Sequence, residues 1–145
     1  MNSSPLADIV LAYAGESLLC QVAAWVHHHR GFALRLVSSR DPAAFEGAVA
    51  DAARLVLDAT EQPGAAMGGL ERALTVLSPD RVAVYAETVH HGLELFVRVR
   101  GVPLLMGPLS PLDWAAFFKP LALTAAPLRL YASGRQKQAG SGWPE

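Results

Sequence analysis

Asp58 is the residue of this chain whose type and position best suit chemistry. It ends the run Leu55-Val56-Leu57-Asp58, in which apolar residues are followed by a carboxylate, and the turn signal Pro63-Gly64 comes shortly after it. A carboxylate at the carboxyl end of a buried parallel strand lies where α/β proteins bind ligands, in the crevice outside the strand ends. The sequence therefore predicts a carboxylate at that edge of a sheet, acting either as a reactive group or as an acceptor for loop amides.

Clustered histidines raise a second possible chemistry, that of a metal site. His27, His28 and His29 are consecutive, and His90-His91 follows later in the chain. Successive residues of a helix point about 100° apart, so at most one or two of the triplet could share a site. Imidazolium groups also suit the carboxyl end of a helix dipole. We therefore interpret the triplet as a polar helix end and expect no metal site.

Composition indicates one compact globular domain. The chain has 145 residues, of which 52% are hydrophobic and 17% charged, and its net charge of −1 does not indicate binding to nucleic acid. Its one cysteine, Cys20, cannot form a disulfide within the chain, which favours a reduced, cytoplasmic setting. We find neither the pattern of a signal peptide nor an apolar run of membrane-spanning length, and we expect no membrane partner.

Hydrophobic patterns predict strands that alternate with helices. Apolar runs predict five strands, at Asp8–Ala14, Phe32–Ser38, Ala53–Asp58, Arg81–Ala86 and Val102–Met106. Helical spacing and capping signals predict helices over Glu16–His29, Pro42–Ala52, Leu70–Leu77 and Pro111–Lys119, while the glycines and prolines of Thr60–Gly69 predict a loop. This order predicts an α/β fold with a five-stranded parallel sheet and helices on both faces.

The stretch between the fourth and fifth strands fits two patterns. Leu93 and Val97 recur at helical spacing, whereas Leu93, Leu95 and Val99 alternate as in a strand. We predict a helix, because the strand–helix rhythm requires one there. We predict a domain at 8–132, which includes a C-terminal apolar extension. A short N-terminal lead at 1–7 precedes it and a flexible tail at 133–145 follows it.

Over roughly Asp8–Lys119, the order and spacing of these landmarks resemble the receiver domain of two-component response regulators. The resemblance rests on Val10–Glu16, on Leu55–Asp58 and on Val102–Pro111, which runs from the fifth strand into the last helix. It implies the flavodoxin-like receiver topology. A strand at Leu93–Val99 would weaken this assignment. The anti-sigma-factor antagonist type shares the Leu-Val-Leu-Asp strand, but its serine-bearing helix start is not evident after Asp58.

By this resemblance, the pocket of the chain is degenerate. Asp58 holds the phosphoacceptor position. The acidic pair that ordinarily holds Mg²⁺ falls on Ala14 and Gly15, and Glu16 is better interpreted as a first-turn glutamate than as a remaining metal ligand. The hydroxyl position after the fourth strand falls on Tyr85 or Ala86, with Thr88 close by. The lysine position after the fifth strand falls on Gly107, and the resemblance implies that the following Pro108 is cis.

These replacements imply an atypical receiver, often called a pseudo-receiver. Phosphoryl transfer onto a carboxylate brings negative charges together, and a divalent cation and an ammonium group must neutralise them. With both lost, we expect no Mg²⁺ cofactor and no enzymatic activity. The expected function is protein–protein interaction in signalling or regulation, with an unidentified protein or a second copy of the chain as partner. Receivers commonly signal through their last helices, so the resemblance implies contact residues at Leu93, Phe96, Arg98, Arg100, Trp114 and Phe117.

Two alternatives stay open at this point. The chain could be a phosphorylatable receiver that uses Asp58 by a metal-poor route. It could instead be a small-ligand sensor that uses the crevice left by the missing acidic pair.

Overall fold

A computed structural model of the chain describes residues 6–88 and 91–119. Within these residues, five strands alternate with five α-helices: β1 Ala7–Ala12, α1 Glu16–His27, β2 Phe32–Val37, α2 Pro42–Val49, β3 Arg54–Asp58, α3 Pro63–Ala73, β4 Val82–Ala86, α4 His91–Val99, β5 Leu104–Met106 and α5 Pro111–Phe118. Residues up to Leu109 form one compact unit that contains the sheet, and α5 belongs to a second unit.

The five strands form one parallel sheet in the order β2-β1-β3-β4-β5. All five residues of β3 and all five of β4 are buried, as expected of central parallel strands that are covered on both faces. The α/β fold class predicted from the sequence is therefore confirmed. Because the strands are parallel, their carboxyl ends share one edge, and the register places Asp58 directly beside Tyr85.

The predicted loop at Thr60–Gly69 is wrong, because α3 begins at Pro63 and includes three glycines. Proline suits the first turn of a helix, where its missing N–H would have no intrahelical partner. Gly69 has a packing role, since a Cβ there would lie 3.0 Å from Leu57 Cδ2 and 3.1 Å from Tyr13 Cε2. The close approach of α3 to the sheet thus outweighs the poor helix propensity of glycine.

The helix predicted between β4 and β5 is confirmed as α4, which buries Leu93 and Val97. The predicted entry into α5 is confirmed as well. The Ser110 hydroxyl accepts a hydrogen bond from the Asp113 N–H (3.2 Å), and the Asp113 carboxylate accepts one from the Ser110 N–H (3.2 Å). Other predicted boundaries differ by a few residues, as is usual for element ends.

Parts of the sequence interpretation fall on residues outside the structural description. The C-terminal extension at 121–132, the tail at 133–145 and most of the lead at 1–7 lie there. Within residues 6–88 and 91–119, no helix combines the length and apolar composition that crossing a bilayer requires.

We predict opposite effects for alanine at two neighbouring glycines of α3. Gly68→Ala should raise the free energy of unfolding by up to about 1 kcal/mol, since its nearest neighbour would be 3.7 Å away and alanine is the better helix former. Gly69→Ala should lower it by roughly 1–3 kcal/mol, because its Cβ would crowd Leu57 and Tyr13. Urea denaturation of both variants measures the difference. Equal stability would contradict the close packing described at Gly69.

Candidate functional site

Asp58 ends β3 with a side chain that is 3% exposed. Its Oδ2 accepts a hydrogen bond from the Gly15 N–H at 2.8 Å, and its Oδ1 accepts one from the Thr60 N–H at 2.9 Å. A buried carboxylate is stable only when such donors replace its lost hydration. Of the two roles that the sequence left open, the geometry matches a carboxylate hydrogen-bonded to loop amides.

The start of α1 lies against this carboxylate. Gly15 is the N-cap residue of the helix, and a Cβ on it would be 3.5 Å from Asp58 Oδ2. Ala14 and Gly15, which the resemblance placed at the acidic-pair positions, have no side-chain oxygen. Glu16 is exposed in the first turn, where its charge suits the helix dipole.

The described side chains around Asp58 do not fit a magnesium ion. Mg²⁺ prefers an octahedral set of oxygen ligands, usually with one or two carboxylates, and at this edge Asp58 already has an amide N–H on each oxygen. Across residues 6–88 and 91–119, no group of three or more His, Cys, Asp and Glu side chains could hold a metal. Nor does any ion pair in these residues involve Asp58.

Tyr85 fills the other side of the crevice, against Gly107, which the resemblance placed at the lysine position. The residue is fully buried in β4. A Cβ added to Gly107 would overlap three atoms of the Tyr85 side chain, Cε1, Cζ and Oη. The tyrosine ring therefore occupies the space into which any side chain at 107 would project.

The Tyr85 hydroxyl is the centre of a polar network. It donates a short hydrogen bond to Glu87 Oε2, and it accepts one from Gln21 Nε2 at 2.7 Å. The Ser17 hydroxyl donates to the same Glu87 oxygen at 2.5 Å and accepts from Gln21 Nε2 at 3.0 Å. Two residues of α1 are thereby joined to the end of β4.

The same network extends to the loops after β3 and β5. Gln21 Oε1 accepts a hydrogen bond from the Leu109 N–H at 2.9 Å. The Glu87 N–H donates to Thr60 Oγ1 at 3.2 Å, and the Thr60 N–H in turn donates to Asp58. Sequence reasoning missed Ser17, Gln21, Thr60 and Glu87. The sequence feature that could have indicated this network is the combination of a large side chain at Tyr85 with no side chain at Gly107.

Electrostatics keep this network in one protonation state. Burial raises the pKa of Tyr85, and the hydrogen bond that it donates to Glu87 raises this pKa further. Hydrogen bonds from Ser17 and Tyr85 lower the pKa of Glu87. The phenol is thus favoured as a neutral donor and the carboxylate as an ionised acceptor.

The remaining predicted pocket residues lie close to this edge of the sheet. Ala86 is buried at the end of β4 and pairs with Met106, while Thr88 is exposed two residues further on. Gly107 and Pro108 are joined by a cis peptide bond, as the resemblance implied. Tyr85 and Ala86, the two residues predicted for the hydroxyl position, are thus the last two residues of β4.

Two of the predicted contact residues are interior. Leu93 is 2% exposed and Trp114 is 1% exposed, so neither side chain offers a contact surface, and the prediction is corrected for these two positions. Their apolar character reflects burial, which is the commoner fate of large apolar side chains. Within the second unit, Trp114 stacks on Phe118 with ring centroids 5.4 Å apart, and Phe117 is partly buried.

The predicted arginine pair is engaged within the chain. Arg100 bridges α4 to α3, since its Nη2 lies 2.7 Å from Glu71 Oε2 and its guanidinium carbon lies 3.5 Å from the centroid of the Phe96 ring. Arg98 pairs with Glu94 on the surface of α4 at 2.8 Å. The exposed large apolar residues of α4 are instead Leu95, at 63%, and Val99, at 71%.

The histidine triplet lies at the end of α1, as the sequence indicated. His27 is the last residue of the helix. His29 stacks on Trp25, with ring centroids 3.9 Å apart, and its Nδ1 lies 2.7 Å from the Trp25 carbonyl oxygen. This arrangement makes His29 part of the helix end.

Solved structures resemble this fold. A CheY-like response regulator from Mesorhizobium loti has 12% identity and a TM-score of 0.59, over 79% of this chain and 97% of that one. The pilus assembly protein CpaE from Caulobacter crescentus has 17% identity and a TM-score of 0.56, over 81% and 94%. The isolated REC domain of RcsB from Salmonella enterica has 14% identity and a TM-score of 0.51, over 81% and 86%.

These similarities identify the fold as that of a response-regulator receiver domain. The resemblance predicted from the sequence is thus confirmed at the level of the fold. No family model and no curated protein sequence matches the chain.

We predict that the cost of a side chain at position 107 depends on the residue at position 85. Gly107→Ala should lower the free energy of unfolding by roughly 1–3 kcal/mol, because the ring of Tyr85 must move to make room. In a Tyr85→Phe background, Gly107→Ala should lower the free energy of unfolding by a similar amount, because phenylalanine keeps Cε1 and Cζ. In a Tyr85→Leu background the decrease should be small, because leucine lacks the overlapping atoms. Double-mutant cycles from urea denaturation measure this coupling. A cost independent of residue 85 would contradict the steric account.

We further predict that Tyr85 makes the fold sensitive to alkaline pH. A folded-state pKa raised above the ordinary value of 10.0 means that the neutral phenol stabilises the fold below that pH. This contribution is lost as pH rises from about 10 through the folded-state pKa. Melting temperatures between about pH 8 and pH 11 should therefore fall less steeply for Tyr85→Phe than for the wild type. Identical slopes would argue against a perturbed Tyr85.

Proposed function

We propose that this protein is a non-enzymatic pseudo-receiver that acts through protein–protein contact in signalling or regulation. The observation that carries the proposal is the state of Asp58, whose carboxylate oxygens accept hydrogen bonds from the backbone amides of Gly15 and Thr60. The positions that would supply a metal site and an ammonium group hold Ala14, Gly15 and Gly107. The fold is kept while the side chains for phosphoryl transfer are replaced.

Charge balance supports the loss of phosphorylation. A phosphoryl group on Asp58 would add negative charge to a buried site, beside a network that already contains the Glu87 carboxylate. A divalent cation and a fixed cationic side chain ordinarily stabilise the transition state by several kcal/mol. In our proposal, the protein binds no Mg²⁺ at this edge and Asp58 serves as a structural acceptor.

The contact surface that we propose lies on α4. Leu95 and Val99 are one helical turn apart and therefore share a face, with the cationic Arg98 between them in sequence. On β5, Met106 is also exposed, at 39%. Exposed apolar residues that cluster on one element are typical of an interaction site. The partner is a protein, or a second copy of this chain, with a complementary apolar surface.

Similar structures are named as response regulators and as pilus assembly proteins. One fold commonly serves several functions through different sites, so we base the proposed role on the surface of this chain. We place the protein in the cytoplasm, where its unpaired Cys20 would stay reduced.

The first prediction from this proposal concerns phosphorylation. When the purified protein is incubated with acetyl phosphate and Mg²⁺, intact-mass spectrometry should show no gain of a phosphoryl group, because the stabilising charges are missing. A response-regulator receiver with its acidic pair and lysine intact serves as the positive control. A gain that is abolished by Asp58→Asn would establish the alternative, a phosphorylatable receiver that uses a metal-poor route.

The second prediction concerns the α4 surface. Leu95→Glu and Val99→Glu should each weaken association, either with a partner that co-purifies from the native organism or with a second copy, since a charge would enter the apolar contact. Leu36→Glu is the matched control, because Leu36 is similarly exposed, at 58%, but lies on β2. Pull-down and light scattering measure the two forms of association. Equal loss in all three variants would refute α4 as the contact surface.

A depression in the surface gives the small-ligand sensor, the second candidate function, a place where a ligand could bind. It has a volume of about 250 Å³ and lies at the carboxyl ends of β1 and β2, lined in part by Tyr13, Ala14 and Gln62. A ligand that binds only the folded state raises the melting temperature. Thermal-shift screening with nucleotides and metabolites would favour the sensor if a shift appears and is lost in Ala14→Phe, which would fill the cavity.

A further inference from the structure

We propose that Gln21 is the positioning residue of a built-in lock, which holds the loop after β5 in one conformation whatever the state of Asp58. This goes beyond the proposed function, which concerns chemistry at Asp58 and contact through α4. The lock concerns the conformation of the segment that follows β5, and it is tested separately.

Gln21 is suited to this role because both ends of its amide are engaged. Its Nε2 donates to the Tyr85 hydroxyl at 2.7 Å and to Ser17 Oγ at 3.0 Å, while its Oε1 accepts from the Leu109 N–H at 2.9 Å. One side chain on α1 therefore connects the end of β4 with the backbone after β5. These groups are far apart in the chain, so only the fold brings them together.

Packing makes the connection rigid. The Tyr85 side chain is fully buried, and its ring fills the space above Gly107, two residues before the Leu109 amide. Its hydroxyl cannot leave Gln21 unless the ring moves, and the ring is enclosed. Close packing of this kind allows discrete arrangements rather than gradual displacement.

The bond that fixes the loop after β5 does not pass through the Asp58 carboxylate, since the Leu109 N–H is held by Gln21. The loop after β4 differs, because its Glu87 N–H is held by Thr60, whose own N–H donates to Asp58. A change at Asp58 can therefore reach the loop after β4 through Thr60, but it leaves the acceptor of the Leu109 amide in place.

Backbone hydrogen exchange followed by NMR tests the lock in the full-length protein. Gln21→Met keeps the length of the side chain but removes its amide, and exchange at Leu109 should then accelerate by about tenfold relative to exchange at Val56 in β3, which reports global unfolding. Gln62→Met is the matched control. It removes an exposed amide that accepts from Arg40 at 2.8 Å, and it should leave this ratio unchanged.

Two results would overturn the proposal. If Gln21→Met accelerates Leu109 and Val56 equally, Gln21 contributes only to global stability and positions nothing. If Asp58→Asn changes the Leu109-to-Val56 ratio, the loop after β5 responds to Asp58 and is not locked. An unchanged ratio in Asp58→Asn, together with the tenfold change in Gln21→Met, supports the lock. Phosphorylation of Asp58 with an unchanged Leu109-to-Val56 exchange ratio would contradict the proposed function but not the lock.

Discussion

The arrangement of the crevice depends on one steric constraint: the ring of Tyr85 and a side chain at position 107 cannot occupy the same space. Once the ring is buried there, its hydroxyl has a fixed position, and groups that hydrogen-bond to it must come to that point. Gln21 approaches from α1 and Glu87 from the loop after β4. The large side chain of Tyr85 and the lack of a side chain at Gly107 therefore depend on each other.

Asp58 has a structural role at this edge of the sheet. Its carboxylate accepts the N–H of Gly15 at the start of α1 and the N–H of Thr60 after β3, and it thereby satisfies two backbone donors at an edge where polar groups are partly removed from water. Replacing it with an apolar side chain would leave those donors without their acceptor. The aspartate at this position thus has a structural role that does not depend on phosphorylation.

The sheet could be predicted from the sequence because its evidence is local. Buried parallel strands are continuous apolar runs, and Ser110 and Asp113 mark the entry into α5 within four residues. The prediction of a loop over residues 63–69 is wrong because glycines are typical of loops. Gly69 is instead required by close packing against Leu57 and Tyr13, which are distant in the sequence. Gln21 and Leu109 are 88 positions apart, so no sequence window contains their hydrogen bond. Leu93 and Trp114 are predicted as contact residues because the resemblance places contacts on the last helices, and it does not show which side chains of those helices are buried. Loss of phosphorylation and association with a protein partner stay predictions.

Arg100 connects the end of α4 to α3. Its guanidinium group pairs with Glu71 on α3, donates to the Phe96 carbonyl and lies over the Phe96 ring, so one side chain ties the end of α4 to its neighbour. Any displacement of the carboxyl end of α4 away from α3 would therefore have to separate the Arg100–Glu71 ion pair. Since α3 begins at Pro63, directly after the loop that contains Thr60, α4 and the rim of the crevice are neighbours of the same helix.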